Sequence, residues 1–138
     1  FALTSDPNCL SVLQFAVETL KVRDVIVAGH YDCGGIAAAI DGKPHGEMDR
    51  WLKPIREVAT AHYGELDAIT DPQQRHDRLC ELNVVRQVKN TGSSAIVQRA
   101  WASGQRLSLH GWVYALATGR LKDLEVSVRK PEELAKLR

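Results

Sequence analysis

The sequence predicts an α/β fold: a mostly parallel β-sheet flanked by helices, with an antiparallel hairpin at the sheet edge. Three observations support this prediction. An amphipathic helical pattern runs directly into a continuous apolar segment at Asp24–Gly29, which is typical of a buried parallel strand. A double-glycine turn then opens a short alanine-rich helix. Near the end of the chain, two strand-like segments flank a Thr118-Gly119 turn, which indicates a hairpin. The 138 residues suit one domain, residues 1–138.

The first predicted element is an amphipathic helix from about Pro7 to Leu20. Asp6-Pro7 is typical of an N-cap followed by proline at the first helical position, and apolar residues then recur at helical spacing. The strand at Asp24–Gly29 follows and is expected to be buried on both faces. A helix that leads into a parallel strand is the second half of a βαβ unit. Its first strand would precede Phe1, so we expect the fold to be incomplete at the N-terminus.

The remaining elements follow from apolar periodicity, caps and glycine stops. The predicted helices are Gly34–Ile40, a stretch from Met48 to Ala59 with a kink or restart at Pro54, a long helix that opens at Asp71-Pro72 and stops at Asn90-Thr91-Gly92, and a helix capped by Ser93 that runs to about Ser103. The predicted strands are Arg106–His110, Val113–Ala117 and Leu124–Val128, and the residues from Arg129 on are expected to be a charged tail.

Composition narrows the function classes. The chain is 44% hydrophobic and 25% charged with a formal net charge of +1, so nothing indicates a nucleic-acid partner or an anionic membrane. Its apolar runs are too short to span a bilayer. Three cysteines form no disulfide framework and fit a reducing compartment, so we expect a cytoplasmic protein. The chain begins at Phe1 rather than Met, so a targeting segment before Phe1 is also compatible with the sequence.

The most informative segment runs from Val25 to Gly35 and delivers a histidine and a cysteine to the end of a strand. His30 and Cys33 carry the imidazole and the thiolate that zinc prefers, and catalytic zinc usually has three protein ligands and one open position. Gly34 and Gly35 leave backbone N–H groups accessible to an anionic ligand. Taken alone, H-x-x-C fits equally well a strand-end histidine that is hydrogen-bonded to the backbone beside a buried cysteine. The strand, the glycines and the helix together favour the metal interpretation.

Four segments resemble the β-class carbonic anhydrases, and the resemblance covers nearly the whole chain, most closely that of bacterial members. They are Gly29-His-Tyr-Asp-Cys-Gly-Gly-Ile36, Asn8-Cys-Leu-Ser-Val12, Leu79-Cys-Glu-Leu-Asn-Val84 and His110-Gly-Trp-Val-Tyr114. The resemblance implies the β-carbonic anhydrase fold, a Zn²⁺ cofactor and reversible hydration of carbon dioxide to bicarbonate. It also shows a departure, because the first zinc motif of the family, Cys-x-Asp-x-Arg, does not occur here. We therefore expect the C-terminal part of such an enzyme, with zinc keeping only His30 and Cys33 of its ligand set and with the catalytic residues unassigned.

The resemblance implies two further site residues and an assembly. The backbone N–H of Gly34 would lie near the substrate, since family members place an N–H beside the second zinc cysteine there. Tyr114 would belong to a non-catalytic bicarbonate site present in part of the family, although its companion Trp and Arg would lie outside this chain. Family members are dimers or higher assemblies, so a homodimer or homotetramer is expected.

Other polar candidates are better explained by structure. Cys9 and Cys80 are expected to be packed hydrophobes, His62 and His76 solvated, His45 a loop residue, and Asp32 a turn residue. We expect His110 to make a structural hydrogen bond and Trp51, Trp101 and Trp112 to occupy core positions.

Two other functions stay open at this point. The absent first motif is also compatible with a non-catalytic, truncated or metal-free module of the same fold that acts in assembly. A cysteine-based redox or hydrolytic enzyme would use Cys33 as nucleophile and His30 as base, but no orienting third group and no C-x-x-C are present.

Overall fold

A computed structural model describes residues 6–137 of the chain. Within this range the helices are α1 (Pro7–Gln14), α2 (Gly34–Ile40), α3 (Met48–Ala61), α4 (Tyr63–Asp67), α5 (Pro72–Gly92), α6 (Ala95–Ala102) and α7 (Pro131–Leu134). The strands are β1 (Asp24–His30), β2 (Ser108–Ala115) and β3 (Arg120–Val128). Over residues 6–137, no helix has the length and apolar character needed to cross a membrane.

The first helix begins as the sequence predicts. The Asp6 carboxylate accepts hydrogen bonds from the backbone N–H groups of Asn8 (2.9 Å) and Cys9 (3.4 Å), and Pro7 follows as the first helical residue. A π-helical turn at Phe15–Thr19 continues α1. The predicted helix from Pro7 to Leu20 is therefore confirmed, apart from this change of helical pitch.

The three described strands form one sheet in the order β1-β2-β3. β1 and β2 run parallel, because Ser108 N–H donates to the Arg23 carbonyl at one end and Tyr31 N–H donates to the Tyr114 carbonyl further along both strands. A short turn joins β2 to β3, which makes this pair an antiparallel hairpin. The predicted α/β fold with an antiparallel edge hairpin is confirmed.

Two strand predictions need correction. β1 is exposed on alternate residues, with Ile26 47% exposed, so it is not buried on both faces. It pairs with β2 alone among the described strands. The strands predicted at Arg106–His110 and Val113–Ala117 are one strand, β2, because Gly111 does not interrupt it. A Cβ at Gly111 would lie 3.2 Å from methyl groups of Val84 and Val88 on α5, so glycine permits a close approach of strand and helix.

The described chain forms two compact units, residues 6–28, 84–112 and 123–137 in one and residues 29–83 and 113–122 in the other. Each has its own apolar core. In the first unit the largest fully buried apolar side chains are Val17, Val88, Val97, Leu107, Leu109 and Val128. In the second unit they are Ile36, Leu52, Ile55, Leu79 and Val113. The prediction of a single domain stays a prediction.

The end of the described chain is not simply a charged tail. It contains α7, whose Leu134 is buried against Gly92 at the end of α5. The predicted cap of α6 also moves by one residue. The hydroxyl of Ser94, not Ser93, accepts the N–H of Val97 at 3.3 Å.

Candidate metal centre

The two predicted metal ligands lie on either side of a tight turn between β1 and α2. His30 is the last residue of β1 and Cys33 is the N-cap of α2, so the local placement follows the sequence prediction. Between them, Asp32 has a φ of +54°, a left-handed conformation in which aspartate is tolerated better than most residues. Its carboxylate accepts a hydrogen bond of 3.0 Å from the Gln73 side chain on α5. Asp32 is therefore the turn residue that the sequence predicts.

The backbone carbonyl of the next residue, Tyr31, orients the ring of His30. Nδ1 lies 2.8 Å from the backbone carbonyl oxygen of Tyr31. A carbonyl can only accept, so Nδ1 carries the proton and Nε2 presents its lone pair. The His30 side chain is exposed and that of Cys33 is half-buried. A metal-ligating histidine usually shows this arrangement, with one nitrogen held by a carbonyl and the other free.

Helix α5 contacts the backbone of the same turn through His76. Its Nε2 lies 3.1 Å from the Cys33 carbonyl oxygen, and its Nδ1 lies 3.8 Å from the Sγ of Cys80. With Nε2 donating to the carbonyl, Nδ1 accepts the S–H of Cys80. The His76 side chain is 14% exposed, so the expectation of a solvated histidine is wrong.

Cys80 is buried, as the sequence predicts. Burial raises the pKa of its thiol to about 12, and a backbone hydrogen bond at Cys33 offsets only part of this effect. Cys80 therefore stays protonated at neutral pH and acts as a weak donor and a packed hydrophobe.

Within residues 6–137, no group of three or more His, Cys, Asp or Glu side chains is arranged to hold a metal ion. His30 and Cys33 nevertheless suit zinc chemically, since one offers a free imidazole nitrogen and the other a thiol at the start of a helix. They form a partial donor set.

The double glycine after Cys33 has two different environments. A Cβ at Gly35 would lie 3.1 Å from the ring of Trp51, so a side chain there would press on the indole. A Cβ at Gly34 would have no heavy atom within 4 Å, and the Cys33 side chain makes no capping hydrogen bond to the first turn of α2. The start of α2 is thus open at Gly34. Its role in substrate binding stays a prediction.

Tyr114, the predicted bicarbonate-binding residue, lies near the end of β2 and is 38% exposed. Its backbone carbonyl accepts the N–H of Tyr31 at 3.0 Å. Nothing in this geometry tests the bicarbonate site, which stays a prediction.

Two further histidines make contacts with polar side chains, and one of the tryptophans is exposed. His110 bonds to the Ser127 hydroxyl (2.9 Å) and the Asp24 carboxylate (3.0 Å), which confirms the predicted structural role. His45 contacts both carboxylate oxygens of Asp41. Trp51 is 49% exposed, so the prediction of a core position is wrong for this residue.

Several known proteins that are similar to this chain are carbonic anhydrases. A family model described as carbonic anhydrase matches residues 1–121. A carbonic anhydrase of Emericella nidulans is 42% identical over 123 residues, covering 89% of this chain and 54% of that protein. A carbonic anhydrase of Candida albicans is 34% identical over 135 residues, covering 94% of this chain and 47% of that protein. The chain thus spans about half the length of these curated relatives.

Solved structures give the same result. The Coccomyxa β-carbonic anhydrase in complex with acetazolamide superposes with a TM-score of 0.88 at 37% identity, covering 96% of this chain and 60% of that one. A tetrameric β-carbonic anhydrase from Sordaria macrospora superposes with a TM-score of 0.81 at 35% identity, covering 90% of this chain and 63% of that one. The chain belongs to the β-class carbonic anhydrase family.

Proposed function

We propose that the native protein containing this chain is a zinc-dependent carbonic anhydrase that interconverts carbon dioxide and bicarbonate. The observation that carries the proposal is the turn between β1 and α2. It presents the free Nε2 of His30 and the thiol of Cys33 at the end of a parallel strand, in a chain that belongs to the β-class family. Ligands in such sheets bind beyond the carboxyl ends of the strands.

His30 and Cys33 would hold the zinc ion. Because residues 6–137 provide no group of three ligands, we propose that the other donors come from outside this range. Bound zinc would supply the Lewis acidity that makes water a nucleophile at neutral pH. The Tyr31 carbonyl keeps the His30 imidazole in the tautomer that binds a cation, and His76 holds the backbone of Cys33. The N–H of Gly34, which the Cys33 side chain does not cap, would bind an oxygen of the substrate.

The assembly, the second anion site and the compartment belong to the same proposal. A homodimer or homotetramer is supported by the two β-carbonic anhydrases of Sordaria macrospora, which are tetrameric. Tyr114 would bind bicarbonate at a non-catalytic site. The reducing compartment inferred from three free cysteines would be the cytoplasm.

Stopped-flow measurement of carbon dioxide hydration tests the activity on the native protein loaded with zinc. We expect clear hydration above background, lost in His30→Ala and in Cys33→Ala. His62→Ala is the matched control, because His62 lies between α3 and α4 and its Nδ1 is 3.5 Å from the Glu65 carboxylate. Background hydration by the zinc-loaded native protein would contradict the proposal, as would full activity in either ligand variant.

A second candidate, a non-catalytic module of this fold, is favoured by the incomplete ligand set within residues 6–137. We expect the 138-residue chain on its own to bind zinc weakly and to be inactive. Competition with a chromogenic chelator measures the affinity. Tight zinc binding in the native protein argues against the inert module, and hydration by the isolated chain would overturn the expectation for the fragment.

A further inference from the structure

We propose that Tyr31 and Glu81 form a positioning pair that fixes the His30 imidazole in its metal-binding orientation, with Glu81 acting through the Tyr31 hydroxyl. The inference rests on the proposed function. Tyr31 and Glu81 would not bind the metal themselves but would position one of its ligands.

Tyr31 is fixed at three points, and each involves a different atom. Its N–H donates to the Tyr114 carbonyl at 3.0 Å, and its hydroxyl donates to Oε1 of Glu81 at 2.7 Å. Its own carbonyl oxygen is the group that lies 2.8 Å from Nδ1 of His30. The first two contacts therefore determine where the third atom, the acceptor for the imidazole, is placed.

Glu81 is a firm anchor for this hydroxyl. Its side chain is only 13% exposed, and it accepts from Lys122 Nζ on Oε1 (2.7 Å) and from Arg78 Nη1 on Oε2 (3.0 Å). Arg78 is held in turn by Glu65 at 2.6 Å. A carboxylate with three donors and little exposure has few alternative rotamers, so the hydroxyl that it binds is fixed as well.

The charges agree with this geometry. Burial alone would raise the pKa of Glu81, but the hydrogen bonds from Lys122, Tyr31 and Arg78 bring it below its ordinary value, so the acceptor stays ionised.

The pair can be broken without stranding a charge. In Tyr31→Phe the Glu81 carboxylate keeps both cations, and the ring still fills its place beside α5. We expect a small change in the free energy of unfolding and a larger change in metal binding by His30, because the substitution relaxes only the restraint on the Tyr31 backbone. Outer partners of metal-ligating histidines commonly change metal affinity by 10–100-fold.

The experiment uses the native protein with Co²⁺ in place of zinc, whose absorption bands report ligand geometry, together with the rate of zinc loss to a chelator. Tyr31→Phe is expected to shift the cobalt bands and to speed zinc loss about 10-fold. Tyr63→Phe removes the same atom from an exposed tyrosine of α4 and is expected to match the native protein.

Two variants at position 81 separate positioning from packing. Glu81→Gln retains an acceptor oxygen for the Tyr31 hydroxyl and is expected to keep near-native cobalt bands. Glu81→Met has similar bulk but no such acceptor, and is expected to behave like Tyr31→Phe. The double variant Tyr31→Phe/Glu81→Met is expected to shift the cobalt bands no further than either single variant, since both substitutions remove the same contact between Tyr31 and Glu81.

The outcomes distinguish a failure of the positioning pair from a failure of the proposed function. If the native protein hydrates carbon dioxide and binds cobalt, while Tyr31→Phe shows native bands and native zinc loss, the positioning pair is wrong and the proposed function stands. If the native protein neither hydrates carbon dioxide nor binds metal, both are overturned.

Discussion

The imidazole of His76 lies 3.1 Å, measured from Nε2, from the carbonyl oxygen of Cys33, although 43 residues separate them in the sequence. This contact joins α5 to the backbone of the predicted metal-binding turn. Gln73 and Glu81 of the same helix contact the neighbouring residues Asp32 and Tyr31. Three consecutive turn residues are therefore held by one helix, which explains how an exposed strand end can keep a defined geometry.

Replacing His76 tests this attachment. We expect His76→Ala to lower the free energy of unfolding by about 1–3 kcal/mol, because it removes a half-buried hydrogen bond and leaves the Cys33 carbonyl without this donor. Urea denaturation provides the measurement. His62→Ala, at a more exposed histidine, is the control and is expected to change stability by less than about 0.5 kcal/mol. Equal effects of the two substitutions would contradict the account.

The buried thiol of Cys80 leads to a second prediction. Since burial raises the pKa of this thiol to about 12, almost none of it is thiolate at neutral pH, and it is expected to resist iodoacetamide. Cys9, which is half-buried on α1, provides the comparison within the same chain. Peptide mass spectrometry after brief alkylation should show Cys9 modified and Cys80 intact, with both modified in urea. Alkylation of Cys80 as fast as that of Cys9 in the folded protein would contradict the burial of the Cys80 thiol.

A side chain at Gly92, at the end of α5, should destabilise the fold. A Cβ there would lie 2.5 Å from the Leu134 Cδ2 atom and 3.2 Å from Leu109. Although alanine is the better helix former, we expect Gly92→Ala to cost about 1–3 kcal/mol of unfolding free energy through overpacking. Gly64→Ala is the control, because nothing lies within 4 Å of its Cβ position.

A suppressor makes the prediction for Gly92 sharper. Leu134→Ala removes the nearest atoms, so Gly92→Ala is expected to cost less in that background than in the native chain. Simple additivity of the two costs in urea denaturation would argue against the contact between Gly92 and Leu134.

The stability contributed by Glu81 should depend on pH. The folded-state pKa of Glu81 lies below its ordinary value of 4.5, so the charged form is favoured by folding. Its contribution is therefore complete above the ordinary pKa and is lost as the pH falls through the folded-state value. We expect the native protein to exceed Glu81→Gln in unfolding free energy at neutral pH, with the difference shrinking below pH 4.5. A difference that grows on acidification would have the wrong sign.

Local signals in the sequence predicted much of the fold. Asp6-Pro7 and Asp71-Pro72 marked helix starts, and Gly104, with a φ of +76°, follows α6 at its predicted stop. These features depend on near neighbours in the chain. The prediction failed at Gly111, which lies between the predicted strands Arg106–His110 and Val113–Ala117. It belongs to the single strand β2 and allows that strand to approach α5. That reason involves residues more than twenty positions away.

The sequence predicted part of the candidate site and missed another part. His30 and Cys33 follow from a single segment and from its resemblance to a family motif. His76 was missed because its neighbours in the sequence are polar, and only the docking of α5 on the turn brings it to Cys33. The one available signal was its spacing of four residues from Cys80, which places both side chains on one face of α5.

The zinc content of the native protein tests the central claim most directly. After dialysis in the presence of zinc, elemental analysis should find one zinc ion per chain, and X-ray absorption at the zinc edge should show both nitrogen and sulfur ligands. His30→Ala and Cys33→Ala should each reduce the retained zinc sharply, whereas His62→Ala should not. A native protein without zinc, or ligand variants that retain a full complement, would contradict the assignment of His30 and Cys33 as metal ligands.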